Sequence, residues 1–268
     1  EIRFNEENKS FELGGKTYHE GDAMSLDGTT GYIYGEAIAT VDPEITGDFE
    51  TFMKWADDVR TMKVRANADS PHDAKNALKF GAEGIGLTRT EHMFFEEDRI
   101  MKMRKMIVSK TEEERREALD SLLPVQKEDF IGIYKVMGDL PVTVRLLDPP
   151  LHEFLPQNDA DIKSLADSME ISYEELKGTV ESLDEFNPMM GHRGCRLAVS
   201  YPEIAEMQTR AIIEAAISVK KEKGYDVKPE IMIPLVGDER ELKYVKDVVE
   251  KTAKELISES GISLNYSI

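Results

Sequence analysis

The sequence predicts an α/β fold with a mainly parallel sheet, and three observations predict it. From residue 62 onward, short apolar runs alternate with charged stretches of helical length, the pattern of repeated strand–helix–strand units. One run, 230–236, is apolar enough to read as a strand buried on both faces, as parallel strands are. Before residue 40 the pattern changes to short alternating runs broken by glycine turns, so a small β unit precedes the larger part.

In chain order, Phe11–Gly15 turns at its paired glycines, and Leu26–Gly31 reads as a hairpin connection. Ile45–Arg60 carries Phe49, Phe52, Met53 and Val59 at near-helical spacing, a linker helix with Asp48 placed to cap it. Met62–Asp69 alternates strictly, with Lys63, Arg65, Asn67 and Asp69 on one face, which predicts a strand over 62–68. Ser70 and Pro71 supply a cap and a first-turn proline for the helix that follows. Further strands are expected over 84–89, 141–147 and 230–236, with a short one near Met189–Gly191. The charged stretch Glu96–Met137 reads as helix broken near Pro124. Asp159–Asp184 reads as an irregular excursion, and Pro202–Lys223 and Glu239–Glu259 read as helices. Leu264–Ile268 looks like a strand cut short. The expected division is a β unit over 1–39, a linker helix within 40–61, and the α/β part over 62–268.

The 268 residues are 40% hydrophobic and 32% charged, which predicts a soluble globular chain with a substantial core. A net charge of −19 argues against a nucleic-acid or membrane surface, and no apolar run nears the ~20 residues that a bilayer span needs. The single cysteine, Cys195, excludes an internal disulfide and suits a reducing, cytoplasmic setting. The chain opens on Glu1, inside a strand-like pattern, and so reads as a piece of a longer protein.

Arginines at the ends of apolar runs carry the functional signal. Arg89 ends the 84–89 run, and Arg145 interrupts Val142, Val144, Leu146 and Leu147. A cation in such a place costs several kcal/mol unless an anion or acid pairs with it. At the C-terminal ends of parallel strands these guanidinium groups point to a pocket for a small anion. The rival reading for Arg145 is an ion pair with Glu91 or Asp148. Arg193 is a weaker candidate, and Arg65 and Asn67 are possible supporting residues on the inward face of the first strand. An internal Arg65–Asp69 salt bridge is the rival reading there. Gly14-Gly15-Lys16-Thr17 lacks the earlier glycine and the following helix of a phosphate-binding loop. The five histidines show no metal-ligand spacing, and His192 with Cys195 lacks a third orienting group. Met101, Met103 and Met106 read as one packed helix face, and Glu112–Arg116 as a solvated one.

Three strings, Gly86–Phe95 (GLTRTEHMFF), Val144–Phe154 (VRLLDPPLHEF) and Asn187–Arg196 (NPMMGHRGCR), closely resemble the pyruvate, phosphate dikinase family over nearly the whole chain. The resemblance implies a partial (β/α)8 TIM-type barrel that binds phosphoenolpyruvate and pyruvate. It implies that residues 1–39 are the end of a swivelling phosphohistidine domain. The family's reaction makes phosphoenolpyruvate, AMP and diphosphate from pyruvate, ATP and phosphate, reversibly, through a phosphohistidine. By motif, Arg89 and Arg145 are the substrate-binding arginines. The phosphohistidine motif would precede Glu1. The Mg²⁺ ligands and the proton-donating cysteine would follow Ile268, so no catalytic residue and no metal ligand is expected in this piece, and Cys195 is not that cysteine. The implied partners are the nucleotide-binding and phosphohistidine domains of the parent chain, in a homodimer. A phosphotransferase of the sugar-transport Enzyme I type and a non-catalytic anion-binding module are the alternatives.

Overall fold

The computed structural model describes residues 3–5 and 8–268, so the strand-like start at Glu1 lies outside the described residues. The chain divides into two compact units, Glu1–Arg60 and Thr61–Ile268.

In the first unit, β1 (Arg3–Asn5), β2 (Ser10–Leu13) and β3 (Lys16–His19) form an antiparallel sheet. β2 turns into β3 through Gly14 and Gly15, whose φ angles of 61° and 77° favour glycine in such a two-residue hairpin. β4 (Ser25–Asp27) and β5 (Tyr32–Tyr34) pair as a second hairpin. Helix α1 (Gly47–Val59) follows, one residue shorter than expected at its C-terminus. Thr46, not Asp48, holds its N-cap position, without a side-chain cap bond.

In the second unit, β6 (Ala66–Asn67), β7 (Ile85–Arg89), β8 (Pro141–Arg145) and β9 (Lys228–Met232) form a parallel sheet in sequence order. The crossovers run through α2 (Pro71–Lys79), α3 (Glu97–Val108) and α4 (Glu112–Met137). Further on come α5 (Asp159–Met169), α6 (Tyr173–Leu183), α7 (Cys195–Ser200), α8 (Pro202–Lys223) and α9 (Glu239–Ser260). Ser267 bridges Glu230 in parallel, so the tail docks beside β9 with one ladder contact rather than as a strand.

Two apolar clusters hold this unit together. One joins the sheet to α4, α8 and α9 through Ile85, Phe130, Val142, Ile212 and Val249. The other lies beneath α3 and the α5–α6 pair and contains Met103, Met106, Leu122, Phe154 and Leu176. Each fully buried side chain of this size contributes roughly 1.5–3 kcal/mol.

Four sequence expectations need correction. The strand expected over 62–68 pairs only at Ala66–Asn67, because it is a sheet edge where Met62 and Val64 stay exposed. The expected short strand near Met189–Gly191 is instead a 3₁₀ turn, Pro188–Met190, begun by Asn187, whose side chain accepts from the Met189 N–H. The 159–184 excursion is helical: Asn158 and Ser172 cap α5 and α6. The helix break falls not at Pro124 but at Ser109–Thr111, leaving Pro124 inside a 26-residue helix. An internal proline costs ~3 kcal/mol. Leu119, Leu122, Phe130 and Ile133, all buried on the same helix, offset it. Thr111 supplies the restart, since its side chain accepts from Glu114 N–H while Glu114 reaches back to the Thr111 N–H. Thr111→Ala is expected to destabilise the first turn of α4 by about 1 kcal/mol, read as faster amide exchange there.

Candidate functional site

A parallel sheet gathers the C-terminal ends of its strands along one edge, and a cluster of paired charges lies there. Arg89 and Arg145 are register partners at the ends of β7 and β8. The 3₁₀ turn Thr90–Phe94 leaves the edge after β7, and Leu146–Asp148 leaves it after β8.

Each arginine is oriented by a carboxylate from a neighbouring segment. Asp69, just past β6, accepts the Arg89 backbone N–H at 2.7 Å and, through its other oxygen, Arg89 Nε and Nη2 at 3.0 and 2.7 Å. Burial pushes the Asp69 carboxyl up, but the hydrogen bonds from Arg89 and His92 outweigh it and hold its pKa below the ordinary 3.8. Arg145 donates Nη2 to Glu91 and pairs through Nη1 with Asp148 at 3.2 Å. Arg193 reaches the same Asp148 oxygen at 2.6 Å and the Asp148 carbonyl at 3.1 Å. Both ion pairs set out as the rival reading for Arg145 are therefore present. Several buried polar atoms of this network have no hydrogen-bond partner among the described residues: Glu91 Oε2, Arg145 Nε and Asp148 Oδ1.

Gly194 shows why the Asn187–Arg196 segment can deliver Arg193. Its φ of +57° favours glycine, and an added Cβ would lie 2.8 Å from Leu235 Cβ and 3.1 Å from Asp148 Oδ1. Its N–H donates to the Asp148 carbonyl at 3.0 Å. Arg196, by contrast, turns back to the carbonyls of Met190 and Gly191 and holds its own loop.

Arg65 does not pair with Asp69. It reaches across the sheet face to Glu230 on β9, with Nη2 3.1 Å from Oε1, and lies 3.4 Å from Thr143 Oγ1 on β8. Thr143 in turn donates to Glu230 at 2.6 Å. Gly86 on β7 makes the crossing possible, since a Cβ there would sit only 3.2 Å from Arg65 Cβ. Asn67, on the same strand, is exposed and forms no side-chain hydrogen bond with the described residues.

The hydrogen bond from Arg65 holds Glu230 below its ordinary pKa of 4.5, against burial and with help from Thr143. The folded state therefore binds this proton less readily than the unfolded state. The stabilisation is complete above about 4.5 and is lost as pH falls through the depressed folded value. Glu230→Gln is expected to flatten that acid-side loss, measurable as a shallower fall of stability with acidification.

Sequence reasoning missed the carboxylates that orient the cations, chiefly Asp69 for Arg89 and Glu230 for Arg65. It also missed Gln208, which is fully buried on α8 and accepts the Leu147 N–H at 2.8 Å. Asp69 could have been found from its place at the end of the strand preceding that of Arg89. Gln208 left no signal beyond a polar residue on an apolar helix face.

The family described as "PEP-utilising enzyme, PEP-binding domain" matches residues 43–267. This chain belongs to that family. Its whole length is 59% identical to the pyruvate, phosphate dikinase of Clostridium symbiosum, 52% to that of Rhizobium meliloti and 50% to the chloroplastic pyruvate, phosphate dikinase 1 of Arabidopsis thaliana. It covers 31%, 30% and 28% of those proteins respectively, so it spans about a third of the relatives it matches. Membership in the PEP-binding family agrees with a mixed α/β unit built on a parallel sheet. Among the described residues no helix is long and apolar enough to cross a membrane.

Proposed function

We propose that this chain is the portion of a pyruvate, phosphate dikinase that holds phosphoenolpyruvate and pyruvate, with Arg89 and Arg145 gripping their phosphoryl and carboxylate oxygens. One observation carries this reading: the two guanidinium groups stand on register partners at the C-terminal edge of a parallel sheet. Each is aimed by a carboxylate rather than free in solvent. A transferring phosphoryl group needs such fixed positive charge around its oxygens. Arg145 Nε is buried and has no hydrogen-bond partner among the described residues. Arg89 Nη1 is likewise left over by the Asp69 contact.

Arg193 supports the pair indirectly by sharing Asp148 with Arg145, and Arg65 ties the sheet face together through Glu230. Asn67 is a supporting donor from the same face. In this reading the second unit is the first part of a (β/α)8 barrel. The crossing of Arg65 over Gly86 to two further strands supports a concave sheet of that kind. Residues 1–39 are then the end of the phosphohistidine domain, with α1 as linker. The nucleotide-binding domain and the rest of the barrel lie elsewhere in a cytoplasmic, homodimeric parent, although some relatives are named as chloroplastic.

The parent reaction would pass a phosphoryl group from ATP to a histidine and from there to the enolate of pyruvate. Mg²⁺ would neutralise charge in that step. The carboxylates of this site do not fit a magnesium centre. Asp69, Glu91, Asp148 and Glu230 are each committed to an arginine, and no group of three or more candidate ligands lies together among the described residues. In this reading metal ligation belongs to other parts of the parent.

Binding phosphoenolpyruvate to this chain alone tests the division of labour. Isothermal titration is expected to show weak binding at best, and a pyruvate-dependent ATP-consumption assay no turnover. Turnover by the 268-residue chain would refute the proposal that donor and metal sites lie outside it.

A further inference from the structure

His92 lies three residues beyond Arg89, in the 3₁₀ turn that leaves the C-terminal edge of the sheet. Its Nδ1 is 2.9 Å from Asp69 Oδ2, the oxygen that also accepts Arg89 Nε and Nη2. An ionised carboxylate has no proton to give, so Nδ1 carries the proton and donates it. Nε2 then lies on the far side of the ring. Nearly half of the side chain, 47%, is exposed, and Nε2 receives no hydrogen bond from the described residues.

The charged groups around the ring leave it this task. Glu91 is engaged by Arg145. Asp73 on α2 accepts the Asp69 N–H at 3.3 Å and faces Arg89. From α3, Arg99 turns to the Met93 carbonyl and to Asp129. Arg89, Arg145 and Arg193 are balanced by Asp69, Glu91 and Asp148, so a multiply charged anion meets no excess of positive charge. Another cation at this edge would supply one.

We propose that His92 is a third anion-contacting residue of this site: Asp69 fixes the ring so that Nε2, on taking up a proton, donates to the oxyanion held by Arg89 and Arg145. The inference rests on the substrate site proposed above. Two features favour this contact. It shares one carboxylate oxygen with Arg89, and it leaves the same edge of the sheet. The one bond formed is N–H at Nε2, and no bond of the ligand breaks. The proton comes from solvent, so anion binding is coupled to proton uptake at one nitrogen.

The test uses the full-length dikinase and the phosphonate analogue of phosphoenolpyruvate, whose P–C bond does not transfer. Titration calorimetry in buffers of different ionisation enthalpy counts the protons taken up, and ¹⁵N spectra of the histidine rings locate them. The wild type is expected to show net uptake, with His92 Nε2 changing from unprotonated to protonated on binding. His92→Gln is expected to lose that uptake and to bind about tenfold more weakly, the scale of one charge-assisted hydrogen bond. His92→Ala serves as a second variant at this half-exposed position. Unchanged proton uptake and affinity in both variants, with Arg145→Ala still abolishing binding, would overturn the role of His92 alone. Undiminished binding by Arg145→Ala would instead overturn the substrate site beneath it.

Discussion

Arg145→Lys in the full-length dikinase is expected to slow pyruvate phosphorylation by about 100–1,000-fold, the loss typical of removing one preorganised charge contact. ATP-driven phosphorylation of the histidine is expected to stay unchanged. Arg145 uses Nη2 for Glu91 and Nη1 for Asp148, which lie on different segments after β7 and β8. A lysine keeps the charge, but its single nitrogen cannot span both carboxylates while also facing an oxyanion. The two partial reactions can be followed separately. An equal loss in both would place Arg145 outside the pyruvate step.

The second large effect is on stability. Asp148 accepts from both Arg145 and Arg193, and its side chain is only 9% exposed. Asp148→Ala would leave two guanidinium groups largely buried without that partner. Removing one partner of a buried pair typically costs ~3–5 kcal/mol. The expected reading is a matching fall in the opening free energy of the β8 amides, measured by hydrogen exchange in the full-length protein. Asp148→Asn, which keeps an acceptor oxygen, should lose less. A loss under about 1 kcal/mol for the alanine variant would mean that the arginines find other partners, as exposed pairs do.

The position of Arg89 and Arg145 at one edge was legible because only two facts were needed. Arg89 closes one apolar run and Arg145 lies late in the next, and parallel strands bring such ends together. The helices beginning at Pro71 and Pro202 were legible through local chemistry, although only the first has a side-chain cap, from Ser70. What stayed hidden depends on distant residues. Arg65 pairs with Glu230 across 165 positions, and no local rule prefers that partner to Asp69 four residues away. Pro124 carries a strong local signal for a break, yet buried neighbours on α4 override it. A short strand was expected near Met189–Gly191, but the Asn187 side chain and Pro188 set a turn first. At 62–68 the alternation was real, but an edge position leaves most of it unpaired.

The central claim is that phosphoenolpyruvate sits between Arg89 and Arg145. Diffraction from the full-length protein soaked with the non-transferable phosphonate analogue tests it most directly. The expected result is ligand density at the C-terminal edge of the sheet, with oxygens within hydrogen-bonding distance of both guanidinium groups. Well-defined density elsewhere in the molecule, with Arg89 and Arg145 still paired only to Asp69, Glu91 and Asp148, would contradict it.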